Sequence, residues 1–204
     1  MDCNCPESSS LVEIVAEACG VDLKQIQRLA FQRHQATPSF DATTVLDLAE
    51  WQALLAATDA TKIVITPKLG GDPVIAAGEP ITTGGGDNST MNGVEEVEGT
   101  NPANFTAFFK SLSTAAEVSM KPLNCEKALT VYLILQGGRI GCWKIEGTPD
   151  NYTGMPIQSF FLSDRNNEGY GTKDRHNVRF SLEAGYSEKL DIVTPTTWNP
   201  LTDL

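Results

Sequence analysis

Histidine is scarce in this chain: His34 and His176 are the two that stand among 204 residues. Nucleophilic catalysis by serine needs a base within reach and a sharp, exposed turn for the hydroxyl. Asp174-Arg175-His176 offers an acid near a histidine but no such serine, so no triad is expected. Cations are also few, with 15 Lys and Arg against 26 Asp and Glu and a net charge of −11. A protein that grips nucleic acid must replace the counterions condensed on phosphate with its own cations, and this balance argues against that class. It permits the opposite relation, because an acidic wall repels DNA and lets it pass without sticking; plain solubility is the alternative account. No stretch approaches the roughly 20 apolar residues of a membrane helix. Met1-Asp2-Cys3-Asn4 has neither a basic start nor an apolar run, which predicts a soluble chain made in the cytoplasm and no membrane partner. Five cysteines, an odd number in a chain read as unsecreted, predict reduced thiols and no disulfide framework.

The thiols suggest little chemistry. Cys3, Cys5 and Cys19 could offer three thiolates to zinc with His34 as a distant fourth ligand, but common zinc modules place two close cysteine or histidine pairs, and this spacing does not. No metal and no cofactor are expected. Cys125 and Cys142 flank an apolar hairpin and read as core residues. Gly84-Gly85-Gly86-Asp87 lacks both the spacing of a nucleotide-binding glycine loop and a following Lys-Ser/Thr, which argues against a phosphate cradle. The absence of any catalytic motif predicts a protein that is not an enzyme.

What is present is organisation, centred on residues 101–145. Asn101-Pro102 suits a helix start, and Phe105, Phe108, Phe109, Leu112, Ala115, Ala116 and Met120 recur at three- and four-residue spacing, which predicts one long amphipathic helix. The β-branched and aromatic run Leu129 to Leu135, the Gly137-Gly138 turn and Ile140 to Ile145 predict a hairpin. Upstream, Leu11 to Gly20 suggests a short helix, Gln25 to Arg33 a strand, Thr43 to Ala57 a helix, and Lys62 to Thr66 a strand stopped by Pro67. Downstream strands are expected at Met155 to Leu162, Asn177 to Leu182 and Lys189 to Val193. Residues 69–93 hold seven glycines and two prolines and read as a long loop with a small ribbon at Pro73 to Thr83. The predicted fold is α+β and β-rich: an antiparallel β-sandwich or split barrel with a flanking α-helix and a second short helix. It forms one domain over residues 1–204, with arms at 1–10 and 195–204.

Gly93 to Glu98 reads as a short alternating strand on which Glu96 and Glu98 share a face, with Glu95 on the other. A solvated face is the plain account of these carboxylates, and the acidic wall of a ring is the sharper one.

Several segments together resemble virion proteins of tailed bacteriophages. They are Cys3-Asn4-Cys5-Pro6, Gln25 to Arg33, Trp51 to Pro67, the glycine loop closing on Asn92-Gly93-Val94-Glu95-Glu96, and the ending Trp198 to Leu204. The architecture is similar to that of the major tail tube protein family, and the helix at Thr43 to Ala57 stands outside that family's core as an insertion. The resemblance implies a non-enzymatic structural subunit of the virion, six copies to a ring, with rings stacked into a tube whose acidic lumen DNA traverses unbound. Its partners would be copies of itself and other tail or virion proteins. On that reading Glu95, Glu96 and Glu98 line the lumen, while Leu69, Asp72, Pro80, Asp87 and Asn88 belong to a loop contacting the next ring. Trp198 and Leu201 anchor the C-terminal arm. A phage head decoration protein is the runner-up, and a zinc-binding, host-directed protein using the cysteine arm is a third reading.

Overall fold

The computed structural model describes residues 22–167 and 169–204. The short helix expected at Leu11 to Gly20, the N-terminal arm and Cys3, Cys5 and Cys19 lie outside the described residues. The fold is α+β and dominated by strands, most of them in one large antiparallel sheet. Its centre is a pair distant in sequence, β1 (Ile26–Arg33) and β8 (Leu129–Leu135), in continuous register from Leu29↔Leu133 to Arg33↔Leu129. Every residue of β8 is buried, as an unbroken Leu-Thr-Val-Tyr-Leu-Ile-Leu run requires: both faces of the strand are covered.

β3 (Ile63–Ile65) pairs with the outer edge of β1. The other edge of β8 is shared. Its first half pairs with β11 (Met155–Leu162), and its second half with β9 (Arg139–Ile145) across the Gly137-Gly138 turn. β10 (Asn151–Thr153) runs beside β9 and continues through Gly154 into β11, so a single length of chain leaves one neighbour for the next. A Cβ on Gly154 would stand 2.7 Å from the Thr130 hydroxyl, so this corner admits glycine alone. β12 (Arg175–Leu182) and β7 (Ala103–Lys110) extend the sheet from β11, β4 (Gly70–Ala76) forms its edge, and β2 (Phe40–Asp41) and β13 (Leu190–Val193) flank β10 and β9.

The sheet folds over so that β1 and β8 face β11, β12 and β7 across one core. Phe31 meets Phe160 and Phe180 edge-on, with centroids 5.0 and 6.2 Å apart, and Phe105 stacks on Phe180 at 4.4 Å. A second core lies on the far side of β1 and β8, where Ala30, Tyr132 and Ile134 meet α1 (Leu48–Ala56). Asp47 caps α1 by accepting from Ala49 N–H at 3.0 Å. Trp51 is wholly buried there, stacked on Phe40 at 4.5 Å and donating its indole N–H to Val45 O at 3.0 Å.

The structure corrects the helix expected from Asn101 onward. Residues 103–110 are strand β7, paired along their whole length with β12, and the helix of this segment is only α2 (Thr114–Met120), capped by Ser113. Ala103, Phe105 and Phe109 turn inward at even spacing, while Asn104, Thr106 and Lys110 face water. The long loop is corrected as well. β4 belongs to the main sheet, and β5 (Pro80–Thr83) pairs not with β4 but with β6 (Glu96–Thr100), forming a separate two-stranded sheet. The C-terminal segment folds back rather than extending: Trp198 is buried in the second core, donating to Leu46 O at 2.7 Å, and Arg28 donates to the carbonyls of Leu201 and Leu204.

Candidate assembly surface

Two features stand apart from the two cores, and a third closes one end of the first core. The first is the β5–β6 hairpin. Asn101 N–H donates to Glu79 O at 2.9 Å, which closes its base, and beyond that point the two strands pack chiefly on each other. Its apolar residues are left uncovered: Ile81 is 45% exposed, Val97 49%, Val94 58% and Met91, near the tip, 83%. The tip is built by glycine and by short side-chain turns. Gly86 N–H donates to Gly93 O, Asp87 accepts from Ser89 N–H, and Gly84, with a φ of +92°, would crowd Thr90 if it carried a Cβ. Glu95, Glu96 and Glu98 are all exposed on this hairpin, and among the described residues none of them pairs with a cation.

The second feature is the outer face of β11, β12 and β7. Residues pointing away from the core alternate with those that fill it, and the outward set carries no carboxylate on any of these three strands. It carries Lys110, Arg175 and Arg179. The Arg179 guanidinium lies over the Phe161 ring at 4.9 Å, and Arg175 lies over Phe108 at 4.5 Å with Lys110 at 5.6 Å from the same ring. Phe108 rests on the edge strand, where Gly70 and Gly71 make room: a Cβ on Gly71 would fall 2.4 Å from the ring, and its φ of +68° already favours glycine. Phe161 is 41% exposed, and Val74 on β4 extends the apolar part of this face toward the edge.

The third feature closes one end of the first core. His176 points inward from β12 with no exposed surface, and its Nε2 lies 3.1 Å from Glu117 Oε2 on α2. Neither ring nitrogen has a hydrogen-bond partner at favourable geometry among the described residues. His176 beside it, and then Arg165, hold the Glu117 carboxyl below its ordinary range. Arg165 bridges Glu117 at 3.4 Å and Asp174 at 3.8 Å, and donates to Leu112 O. Asp174 therefore pairs with Arg165 and Asn167, while His176 faces Glu117: the three consecutive residues diverge.

Neither a family model nor a curated protein matches the chain. One solved structure, described as that of a type six secretion system protein, is similar at 11% identity and a TM-score of 0.29, with 87% of this chain and 98% of that one covered. So slight a likeness transfers no function.

The other residues singled out from the sequence fall as follows. Leu69, expected in the contact loop, is instead buried in the first core with its N–H donating to Gln27 O, so its side chain does not face a neighbouring ring. Asp72 is exposed on β4, Pro80 on β5, and Asp87 and Asn88 at the hairpin tip. Leu201 packs partly buried against the second core beside Trp198. Cys142 is a core residue whose thiol is pushed up by burial and by nearby Asp191, whereas Cys125 is exposed, because the 3-10 turn Lys121–Cys125 carries it to the surface. His34 is exposed. Sequence reasoning missed the outer face altogether. The signal was present as Arg175, Asn177, Arg179 and Ser181 at every second position, but it needs a strand assignment for β7 before its neighbours Phe108 and Lys110 join it.

Proposed function

We propose that this chain is a non-enzymatic structural subunit that assembles with copies of itself into rings, stacked as a tube of the kind found in bacteriophage tails. The β5–β6 hairpin carries this reading. A two-stranded ribbon that projects from a well-packed body with Ile81, Val94, Val97 and Met91 uncovered is poorly explained in a lone molecule, and burying those side chains against a neighbour would stabilise an assembly. Edge strands β3 and β4 offer further backbone groups that a neighbouring copy could pair in a closed, cyclic arrangement. In a tube the carboxylate excess of each subunit would leave the bore without the cations that hold DNA, so DNA would pass unbound. Other tail or virion proteins would cap the ends, after assembly in the host cytoplasm.

Electron microscopy and light scattering of the purified chain test the proposal. Rings or tubes that grow with concentration are expected. A monomer at every concentration and salt would overturn it, and compact knobs bound only to capsid shells would favour a head decoration protein instead.

A further inference from the structure

Resting on that reading of a self-assembling subunit, we propose that the acidic β5–β6 hairpin of one copy docks on the basic, aromatic outer face of β11, β12 and β7 of the next. The two surfaces differ in sign within a chain whose net charge is −11. Glu96 and Glu98 project from one face of β6, Glu95 precedes them, and no cation among the described residues neutralises the three. The outward face of the three strands presents Lys110 and Arg179, and the outward residues of these strands include no carboxylate, Asp72 lying on the neighbouring edge strand.

The apolar parts correspond too. The hairpin brings exposed Ile81, which pairs with Gly99 on the same face as Glu96 and Glu98, and exposed Met91 near the tip, and the face brings exposed Phe161 and Val74 with Phe108 held over Gly70 and Gly71. Aromatic rings, methionine and arginine are the residue types enriched at the centre of protein interfaces. The Arg179 guanidinium, stacked on the Phe161 ring, is already positioned, so pairing with a carboxylate costs it less ordering than a free side chain would. The hairpin and the face are different surfaces, so the contact is heterologous. Each copy uses its hairpin on one neighbour and offers its face to another, which propagates an assembly instead of closing a dimer.

Charge reversal on each side and then on both tests the pairing, read by sedimentation velocity at low salt with far-UV circular dichroism as the control for folding. Lys110→Glu with Arg179→Glu, or Glu96→Arg with Glu98→Arg, is expected to weaken self-association about tenfold or more. The chain carrying all four changes is expected to recover association to within about threefold of the unaltered chain. Lys110→Gln with Arg179→Gln gives a milder loss and serves if a reversal disturbs folding. One-sided reversals that associate like the unaltered chain would overturn this docking while leaving self-assembly standing. Failure of the four-change chain to recover would overturn the pairing of these two surfaces. An unaltered chain that never associates would remove the underlying reading. A labelled DNA oligonucleotide that binds the unaltered chain, and is lost with Lys110→Glu and Arg179→Glu, would assign the face to a polyanion and overturn the proposal.

Discussion

The Glu117 carboxylate of α2 sits 3.1 Å from Nε2 of His176, a side chain with no exposed surface at the end of β12. The contact ties the short helix to the sheet and closes the first core where β7 ends. Glu117 has a folded pKa depressed from its ordinary 4.5, first by His176 and then by Arg165. A depressed carboxyl stabilises the fold above its unfolded value and loses that contribution as pH falls through the folded one. Urea unfolding from pH 7 down to pH 3 is therefore expected to show stability falling below about pH 4.5. Glu117→Gln should flatten part of that fall. Asp150, depressed by Lys144 and by the Gly147 N–H, supplies a further part that remains.

Asp174 and His176, two positions apart, are expected to respond very differently to alanine. Asp174 is a solvent-side partner of Arg165 and Asn167, and Asp174→Ala should cost within about 0.5–1 kcal/mol. His176→Ala removes a fully buried ring and opens a void beside Glu117, for a loss of about 2–4 kcal/mol. Denaturant midpoints of the two variants check the contrast, and equal midpoints would contradict the burial.

Two tryptophans support the second core. Trp51→Leu removes the stack on Phe40 and strands Val45 O, and Trp198→Ala uncouples the C-terminal segment from Leu46 O. Each is expected to lower stability by about 3–5 kcal/mol, with the loss of Trp198 also raising protease sensitivity of the last ten residues. Proteolysis followed by mass spectrometry reads the second effect.

Excising the β5–β6 hairpin is expected to leave the body intact. Glu79 and Asn101 are already bridged by a backbone hydrogen bond of 2.9 Å, so a two- or three-residue glycine-rich link can replace residues 80–100. The melting temperature should change by no more than a few degrees, while association by sedimentation should be lost. A body that unfolds without the hairpin would show that the ribbon contributes to folding after all.

Much of the strand pattern was legible, because β1, β8, β9, β11 and β12 are β-branched or aromatic runs bounded by turn residues. The helix expected after Asn101 failed for an identifiable reason. Phe105, Phe108, Phe109 and Leu112 satisfy helical spacing, but Ala103, Phe105 and Phe109 also satisfy a period of two, and the choice rests on pairing with β12, some seventy residues on, which no local window contains. The same distance hid the outer face. Lys110, Phe161 and Arg179 are far apart in the chain, and the overall charge of −11 concealed a local surface of opposite sign. The hairpin was half legible: Gly93 to Glu98 reads as a short strand, but the ribbon expected over Pro73 to Thr83 divides between β4 in the main sheet and β5, whose partner is β6.

The pairing at the centre of the sheet also governs how the chain is made. Thr130 donates its hydroxyl to Gln32 O across 98 residues of sequence, so β1 leaves the ribosome long before its main partner exists. At about 5–20 residues per second the wait is on the order of ten seconds, during which Leu29 and Phe31 lack β8 beside them and the Phe160 and Phe180 rings that Phe31 meets in the first core. A nascent chain paused before Leu129 would present an apolar strand with one edge open, the form in which chaperone holding has most effect and early chain termination does most harm.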